Sequence, residues 1–437
     1  MKNRLKVSDN RRFLVREDGS PFFYLGDTAW ELFHRLNREE AEHYLRRRKA
    51  QGFTVVQAVV LAELDGLHDP NPYGHRPLEN DDPTKPVEAY FEHVDWIVRR
   101  ANELGIVVAM LPTWGDKWNP KWAQGSKVIF TPENARTYGE YLGRRYRDAE
   151  LIWMLGGDRP HEDDNMVAIT RAMAEGVRAG DAGVHLITVH PNGGAHSSEK
   201  LHQEPWLDFN TIQSGHHWRN GESYRMISHD YHLTPTKPCM DAESAYEDHP
   251  VNWNPKELGY FTDVEVRRPS YWGVFAGGHG LTYGHHAVWQ MLAEGRSGVG
   301  YGRGNWRDAL EFPVAQQMVH LKNLMLSRPY LSRVPDQGML VGDAGSGADH
   351  IQATRDAEGS YAFVYFPGPK AAEIDLRGLT GEALYATWFD VRTGASVGRE
   401  EIARTATATF TPPSTAEAPD WVLVLDDASR GYGVPGQ

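Results

Sequence analysis

Two apolar runs in this chain stop at a carboxylate: Leu151–Asp158 (LIWMLGGD) and Pro238–Glu243 (PCMDAE). Each reads as a buried strand that delivers an acid at its C-terminal end. Two carboxyls facing each other across a barrel mouth can cleave a glycosidic bond. One protonates the leaving oxygen, and the other attacks or stabilises the sugar cation. Asp158 follows two glycines, which leave room for a ligand near the backbone, and precedes Arg159 and His161. To act as a general acid it must hold a proton near neutral pH, so burial must outweigh Arg159. Glu243 ends a run in which Cys239, Asp241 and Glu243 share one face of a regular strand, a placement that suits a nucleophile. The structural alternatives are a helix cap at Asp158 and a salt-bridged loop acid at Glu243.

Positioning these acids requires their strands to share a sheet. Short β-rich runs alternate with helical patterns up to Val334: Phe22–Gly26, Thr54–Leu61, Ile106–Leu111, Leu151–Leu155, Leu186–Val189, Phe209–Gln213, Pro238–Ala242 and Leu281–Tyr283. A capping box at Asn37 and Glu40 starts one intervening helix, and Thr131 with Pro132 starts another. The pattern predicts the α/β class: a (β/α)8 TIM barrel over residues 1–334. Beyond it, Ala362–Phe366, Ala383–Phe389, Thr405–Phe410 and Trp421–Leu425 alternate without helical periodicity, which predicts a small antiparallel β-sandwich over residues 335–427. Residues 428–437 read as a disordered tail.

Active sites of such barrels lie at the C-terminal strand ends. Read in order, those ends offer Asp27, Glu63, Trp114, Asp158, His190, Gln213 with His216, Glu243, and Tyr283 with His285. Asp27, with Trp30 close behind, is expected to hold a sugar hydroxyl, its alternative being a cap for Thr28–His34. Trp114 is a candidate sugar platform, although Trp114, Trp118 and Trp122 also have the spacing of a core stripe. His190, Gln213, His216, Tyr283 and His285 complete the expected substrate-binding set.

Other chemistries fit less well. His190, His216 and His285 invite a metal-dependent hydrolase, but no HExxH motif occurs and the ligand set is not assembled, so no metal and no cofactor are expected. Gly298–Gly304 (GVGYGRG) lacks the P-loop lysine and follows no strand, and GxSxG is absent. The single cysteine, Cys239, reads as a buried core residue. A net charge of −13 without a basic block argues against nucleic acid or anionic membrane as partners. No stretch is long enough to span a bilayer, and MKNRLKVSDNRRF lacks an apolar signal core, so a cytoplasmic location is expected. Fourteen tryptophans, 19 tyrosines and 20 histidines suit a carbohydrate partner, whose apolar faces stack on rings.

Taken as a set, YLGDTAWELF, the turn at Asn71–Gly74, LPTWGDKW, LGGDRP and DAESAYED resemble the apiosidase-like glycoside hydrolases, glycoside hydrolase family 140, from Phe13 to Leu326. The resemblance implies a (β/α)8 barrel and a retaining mechanism. It matches Asp158 of LGGDRP to the acid/base and Glu243 of DAESAYED to the nucleophile. It implies action on chains linked through apiose, a branched pentose of plant pectin. The C-terminal segment resembles the β-sandwich often appended to these enzymes and labelled collagen-binding, a label that fold alone does not make an activity. The expected partner is an oligosaccharide; oligomeric state is open. A glycosidase of other specificity, a non-catalytic carbohydrate-binding protein and the metal-dependent hydrolase stand as alternatives.

Overall fold

The computed structural model describes residues 4–122 and 127–437. Eight parallel strands form the central sheet: β1 Tyr24–Thr28, β2 Val55–Leu61, β3 Val107–Thr113, β4 Leu151–Gly156, β5 Ile187–His190, β6 Asn210–Ile212, β7 Cys239–Asp241 and β8 Gly280–Tyr283. They neighbour one another in the order β5-β4-β3-β2-β1-β8-β7-β6. The seam between β5 and β6 has no full ladder. Asp208 N–H bonds the Ile187 carbonyl at 2.9 Å, the Thr188 hydroxyl bonds the Phe209 carbonyl at 2.8 Å, and the Thr211 hydroxyl bonds the Val189 carbonyl. Hydroxyls thus close the barrel where the strands are too short to do so alone.

Alternation along each strand divides its side chains between two layers. Val55 and Val59 of β2, Val107, Ala109 and Leu111 of β3, Ile152 and Met154 of β4, and Met240 of β7 fill the interior. Val56, Ala58, Val60, Val108, Met110, Trp153 and Leu155 face outward to the helices. The helices that matter here are α1 Arg38–Ala50, α2 Glu88–Glu103, α3 Pro132–Tyr146, α4 Asp164–Asp181, α5 Ser223–Tyr231, α6 Asp263–Phe275 and α7 Pro313–Leu326. The capping box at α1 is present, with Glu40 N–H on Asn37 Oδ1 at 2.9 Å and Asn37 N–H on Glu40 Oε2 at 3.1 Å. Among the described residues, no helix is long and apolar enough to cross a membrane.

Two details, at the first strand and at the C-terminal residues, differ from the sequence expectation, while the sandwich is as expected. Phe22 does not open β1; it pairs instead within an N-terminal antiparallel sheet of Leu5–Val7, Leu14–Arg16 and Pro21–Phe22, whose Leu14 and Phe22 plug the barrel interior. The C-terminal unit is a sandwich of a six-stranded and a three-stranded sheet. Its larger sheet has two apolar faces. Ala362, Val364, Phe366, Leu423 and Leu425 pack against the small sheet, while Tyr361, Phe363, Tyr365, Val422 and Val424 join Tyr271, Trp272 and Phe275 of α6 in one core with the barrel. A buried bidentate pair, Arg267 with Asp420 at 2.9 and 2.8 Å, locks that contact. Finally, residues 428–437 are not a disordered tail. Tyr432 hydroxyl meets Ser360 Oγ at 2.8 Å and lies under the Arg328 guanidinium, which also donates to the Gly433 carbonyl at 3.0 Å.

Candidate active site

The chain leaves β4 through Gly156, Gly157 and Asp158, with φ of 91°, 110° and 57°. A methyl group at Gly156 would run into the His190 carbonyl, and one at Gly157 into the backbone of Trp114 and Gly115. Only glycine permits these approaches. They let Gly115 N–H bond the Gly157 carbonyl at 2.8 Å and Gly157 N–H bond the His190 carbonyl at 3.2 Å, tying the ends of β3, β4 and β5 together. Asp158 is held in a left-handed conformation that costs a side-chain-bearing residue roughly 1–2 kcal/mol. It is not a helix cap: α4 is capped by Asp163, which accepts the Met166 N–H at 2.8 Å.

Glu243 follows β7. Met240 and Ala242 point into the barrel and Cys239 points outward, but the ladder ends at Asp241, so the regular alternation does not reach Glu243. Instead Asp241 sets the turn. Its carboxylate accepts the Ser214 hydroxyl at 2.6 Å, the Ser214 N–H at 3.3 Å and the Glu243 N–H at 3.2 Å. Burial still pushes Asp241 up to about 6.

Two histidines take up the Glu243 carboxylate. His216 Nε2 lies 2.8 Å from Oε1, and its Nδ1 accepts the Tyr246 N–H at 3.3 Å. An accepting Nδ1 places the ring proton on Nε2, where it is donated to Glu243. His190 Nε2 lies 2.9 Å from Oε2 but off the axis of a directed hydrogen bond, so this contact is electrostatic. The His190 ring is wedged between Trp30 (centroids 5.1 Å, 88°) and Trp114 (5.9 Å, 40°). Burial raises the Glu243 carboxyl, but the two histidines outweigh it and hold it low, at about 2.

Asp158 moves the other way. Burial and then the Glu243 charge push it up to about 6, against Arg159, whose Nη1 lies 3.2 Å from Oδ2. Its side chain keeps 28 % of its surface open, so the walls surround it without sealing it from water. A third carboxyl, Glu63, sits 3.8 Å from Arg159; burial raises it to about 8, with Arg159 opposing. The shared cleft has a volume of about 550 Å³ and is lined also by Trp122, Asn192, Gly193, Gln213, His217 and Trp253. A groove of about 620 Å³ lies between α5 and the sandwich, but Asp336 is the only acid on its walls, so it lacks a pair.

The expected substrate-binding residues divide. Gln213 and His216 line the cleft, while His190 is fully buried and reaches it only through its contact with Glu243. Trp30 and Trp114 are 2 % and 3 % exposed; they buttress His190 rather than offer open faces to a sugar. Asp27, Tyr283 and His285 are not in the cleft. Asp27 and Tyr283 pair in register on β1 and β8 and, by the parity of their strands, face outward. Asp27 binds Arg48 Nε at 2.7 Å and the Tyr44 hydroxyl, both from α1. Tyr283 donates to Glu247 at 2.7 Å. His285 Nδ1 accepts the Ala287 N–H at 3.0 Å and its ring meets Phe312. These correct the sequence expectation: a strand-end position gave the right height in the barrel and the wrong side of the sheet. They also separate His285 from His190 and His216, so those three do not gather as metal ligands. Arg159, Trp122, Asn192 and Trp253 carried no assigned binding role in the sequence. The Asn192–Gly194 turn after β5 was a usable signal for one of them.

Comparison with known proteins gives the family of each segment. Residues 8–332 match the family described as "Apiosidase-like, catalytic domain". Residues 334–426 match "Putative collagen-binding domain of a collagenase". A solved structure titled as a glycoside hydrolase is 33% identical, with a TM-score of 0.90 and coverage of 99% of this chain and 98% of its own. A second, a glycoside hydrolase family 5 protein from Bacteroides vulgatus, is also 33% identical with a TM-score of 0.90, covering 98% and 94%. No curated protein matches. With its barrel, its paired acids and a family match across three quarters of its length, the chain belongs to the apiosidase-like glycoside hydrolases.

Proposed function

We propose that this glycoside hydrolase works with retention, Asp158 serving as acid/base and Glu243 as nucleophile, on apiose-linked chains of plant type. The observation that carries the reading is the opposed protonation of two acids in one cleft. Glu243 is held ionised by His216 and His190, while Asp158 is raised toward the range where a carboxylic acid still carries its proton. Glu243 attacks the anomeric carbon as Asp158 protonates the departing oxygen. Asp158, now ionised, takes a proton from water, which displaces Glu243 from the sugar. Arg159 keeps Asp158 oriented, and Asp241 fixes the backbone of Glu243. The apiose assignment is supported by the family match alone.

The test is product analysis of wild type and Glu243→Gln on apiose-containing oligosaccharides and a panel of aryl pentosides and hexosides. NMR of the first-formed anomer reads the stereochemistry. Apiose or an apiose-terminated chain released with retained configuration, by wild type alone, is the expected result. Near-normal turnover by Glu243→Gln sinks the assignment of the nucleophile. An inverted first anomer sinks the retaining mechanism, and turnover of other glycosides only sinks apiose.

A further inference from the structure

Outside the cleft, one group of side chains among the described residues brings three metal-ligating atoms together: His196, His229 and Asp230, with all three atoms within 4.8 Å of one another. His196 ends the loop that follows β5; His229 and Asp230 lie in the last turn of α5. His196 Nδ1 is 2.9 Å and His229 Nδ1 3.1 Å from the same oxygen, Asp230 Oδ1. The two rings meet edge to face at 67°, so they do not stack, and their Nδ1 atoms converge on that oxygen.

Hydrogen bonding alone leaves this group unbalanced. Asp230 is 1 % exposed, and its Oδ1 also accepts the Ser198 hydroxyl at 2.7 Å. Three donors crowd one oxygen, while Oδ2 is buried with no partner. A carboxylate oxygen accepts comfortably from two. Glu199, whose carboxylate accepts the His196 N–H at 3.3 Å, adds negative charge beside the group.

We propose that His196, His229 and Asp230 form a binding site for a zinc-class transition-metal ion that braces one wall of the cleft. Ligand atoms bound at about 2.0–2.2 Å in a tetrahedral shell stand roughly 3.3–3.6 Å apart. The spacings here need only small side-chain rotations to match. Two imidazoles and one carboxylate suit zinc, cobalt or nickel, whereas calcium and magnesium prefer all-oxygen shells. With the metal bound, both Nδ1 lone pairs turn to the ion and Asp230 loses its excess of donors. His229, largely exposed, leaves the fourth position to water.

The site also reaches the cleft mechanically. The loop that ends at His196 carries Asn192 and Gly193 into the cleft lining, and its Gly194 N–H bonds the Gln213 carbonyl at 2.8 Å. An ion joining His196 to α5 fixes that loop at its foot without touching Asp158 or Glu243.

The experiment uses tag-free, chelator-treated full-length protein titrated with zinc chloride by calorimetry, with cobalt(II) absorption as a ligand-sensitive readout. Expected are one saturable zinc site, a cobalt d–d band of a low-coordinate N/O shell, and a zinc-dependent rise in melting temperature. His229→Ala and, separately, His196→Ala should weaken zinc binding by about 100-fold or more and abolish the band. His229 is exposed, so its variant should fold normally and keep basal hydrolysis. No saturable zinc binding by wild type, or zinc binding unchanged in the two variants, overturns the proposal.

Discussion

His216 and Glu243 form a directed pair: Nε2 lies 2.8 Å from Oε1, and the other ring nitrogen is pinned by the Tyr246 N–H. The ring therefore has one orientation and one tautomer. Because burial alone would raise Glu243, the histidines decide whether that carboxylate is ionised in the working pH range.

His216→Ala should move the acidic limb of the pH–kcat/KM profile. In wild type, activity should rise as Glu243 ionises, near about 2, and fall as Asp158 loses its proton, near about 6. Without His216, burial of Glu243 is less opposed, so the acidic limb should shift upward by a unit or more while the alkaline limb stays. kcat/KM should fall about 10- to 100-fold. A profile that only scales down, with both limbs fixed, would show that His216 does not set the charge of Glu243.

Asp158→Asn should abolish turnover and stabilise the fold at alkaline pH. The folded carboxyl titrates near about 6, above its ordinary 3.8. A raised acid holds its proton more tightly when folded. Its ionisation therefore costs nothing below pH ~4, costs progressively more between ~4 and ~6, and costs a constant amount above that. The penalty removed is on the order of 3 kcal/mol at most, reduced by the water in the cleft. Asparagine also tolerates the left-handed backbone at this position. Thermal melts at pH 8 and pH 4 check the sign: a gain at pH 8 that is absent at pH 4. A variant destabilised at both values refutes it.

Asp27→Ala should damage stability and leave substrate affinity alone. It strands the Arg48 guanidinium, which is fully buried, at a cost of about 3–5 kcal/mol. Chemical denaturation and steady-state kinetics separate the two roles. A normal denaturation midpoint with a raised KM would return Asp27 to the sugar site.

Trp253→Ala should do the opposite. Trp253 lines the cleft, is 44 % exposed and has a left-handed backbone, and its ring is seated over Gly300 and against His249. Loss of a stacking face should raise KM about 5- to 10-fold, equivalent to ~1 kcal/mol, with kcat and the melting temperature nearly unchanged. A KM within twofold of wild type removes Trp253 from the substrate path.

Much of the barrel was legible because most of its strands are short apolar runs, and the same pattern pointed to Asp158 and Glu243, which line one cleft. What the pattern could not show was side. Asp27 and Tyr283 sit at strand ends like Asp158, yet parity turns them toward α1 and α7, and parity depends on a register that only the neighbouring strand sets. Glu243 illustrates the converse. It lies past the end of the ladder, so its direction comes from the Asp241 turn and not from alternation. Trp253 lies far in sequence from the acids whose cleft it lines, and the spacing of Trp122 with Trp114 and Trp118 suggested core rather than cleft. The sandwich strand Ser396–Ala403 was missed because it is almost wholly exposed and lacks an apolar alternation.

The sheet that joins the barrel at α6 has consequences for how the chain can be divided. Phe363 and Tyr365 set their rings against Tyr271, Trp272 and Phe275, and two arginines of the barrel segment, Arg267 and Arg328, meet buried counter-ions in the sandwich, Asp420 and Asp426. The second unit is thus not an appendage that could be grafted onto another enzyme or trimmed away at Val334. It is a lid on the outer helical layer, with one whole face of its larger sheet already occupied by its own catalytic neighbour.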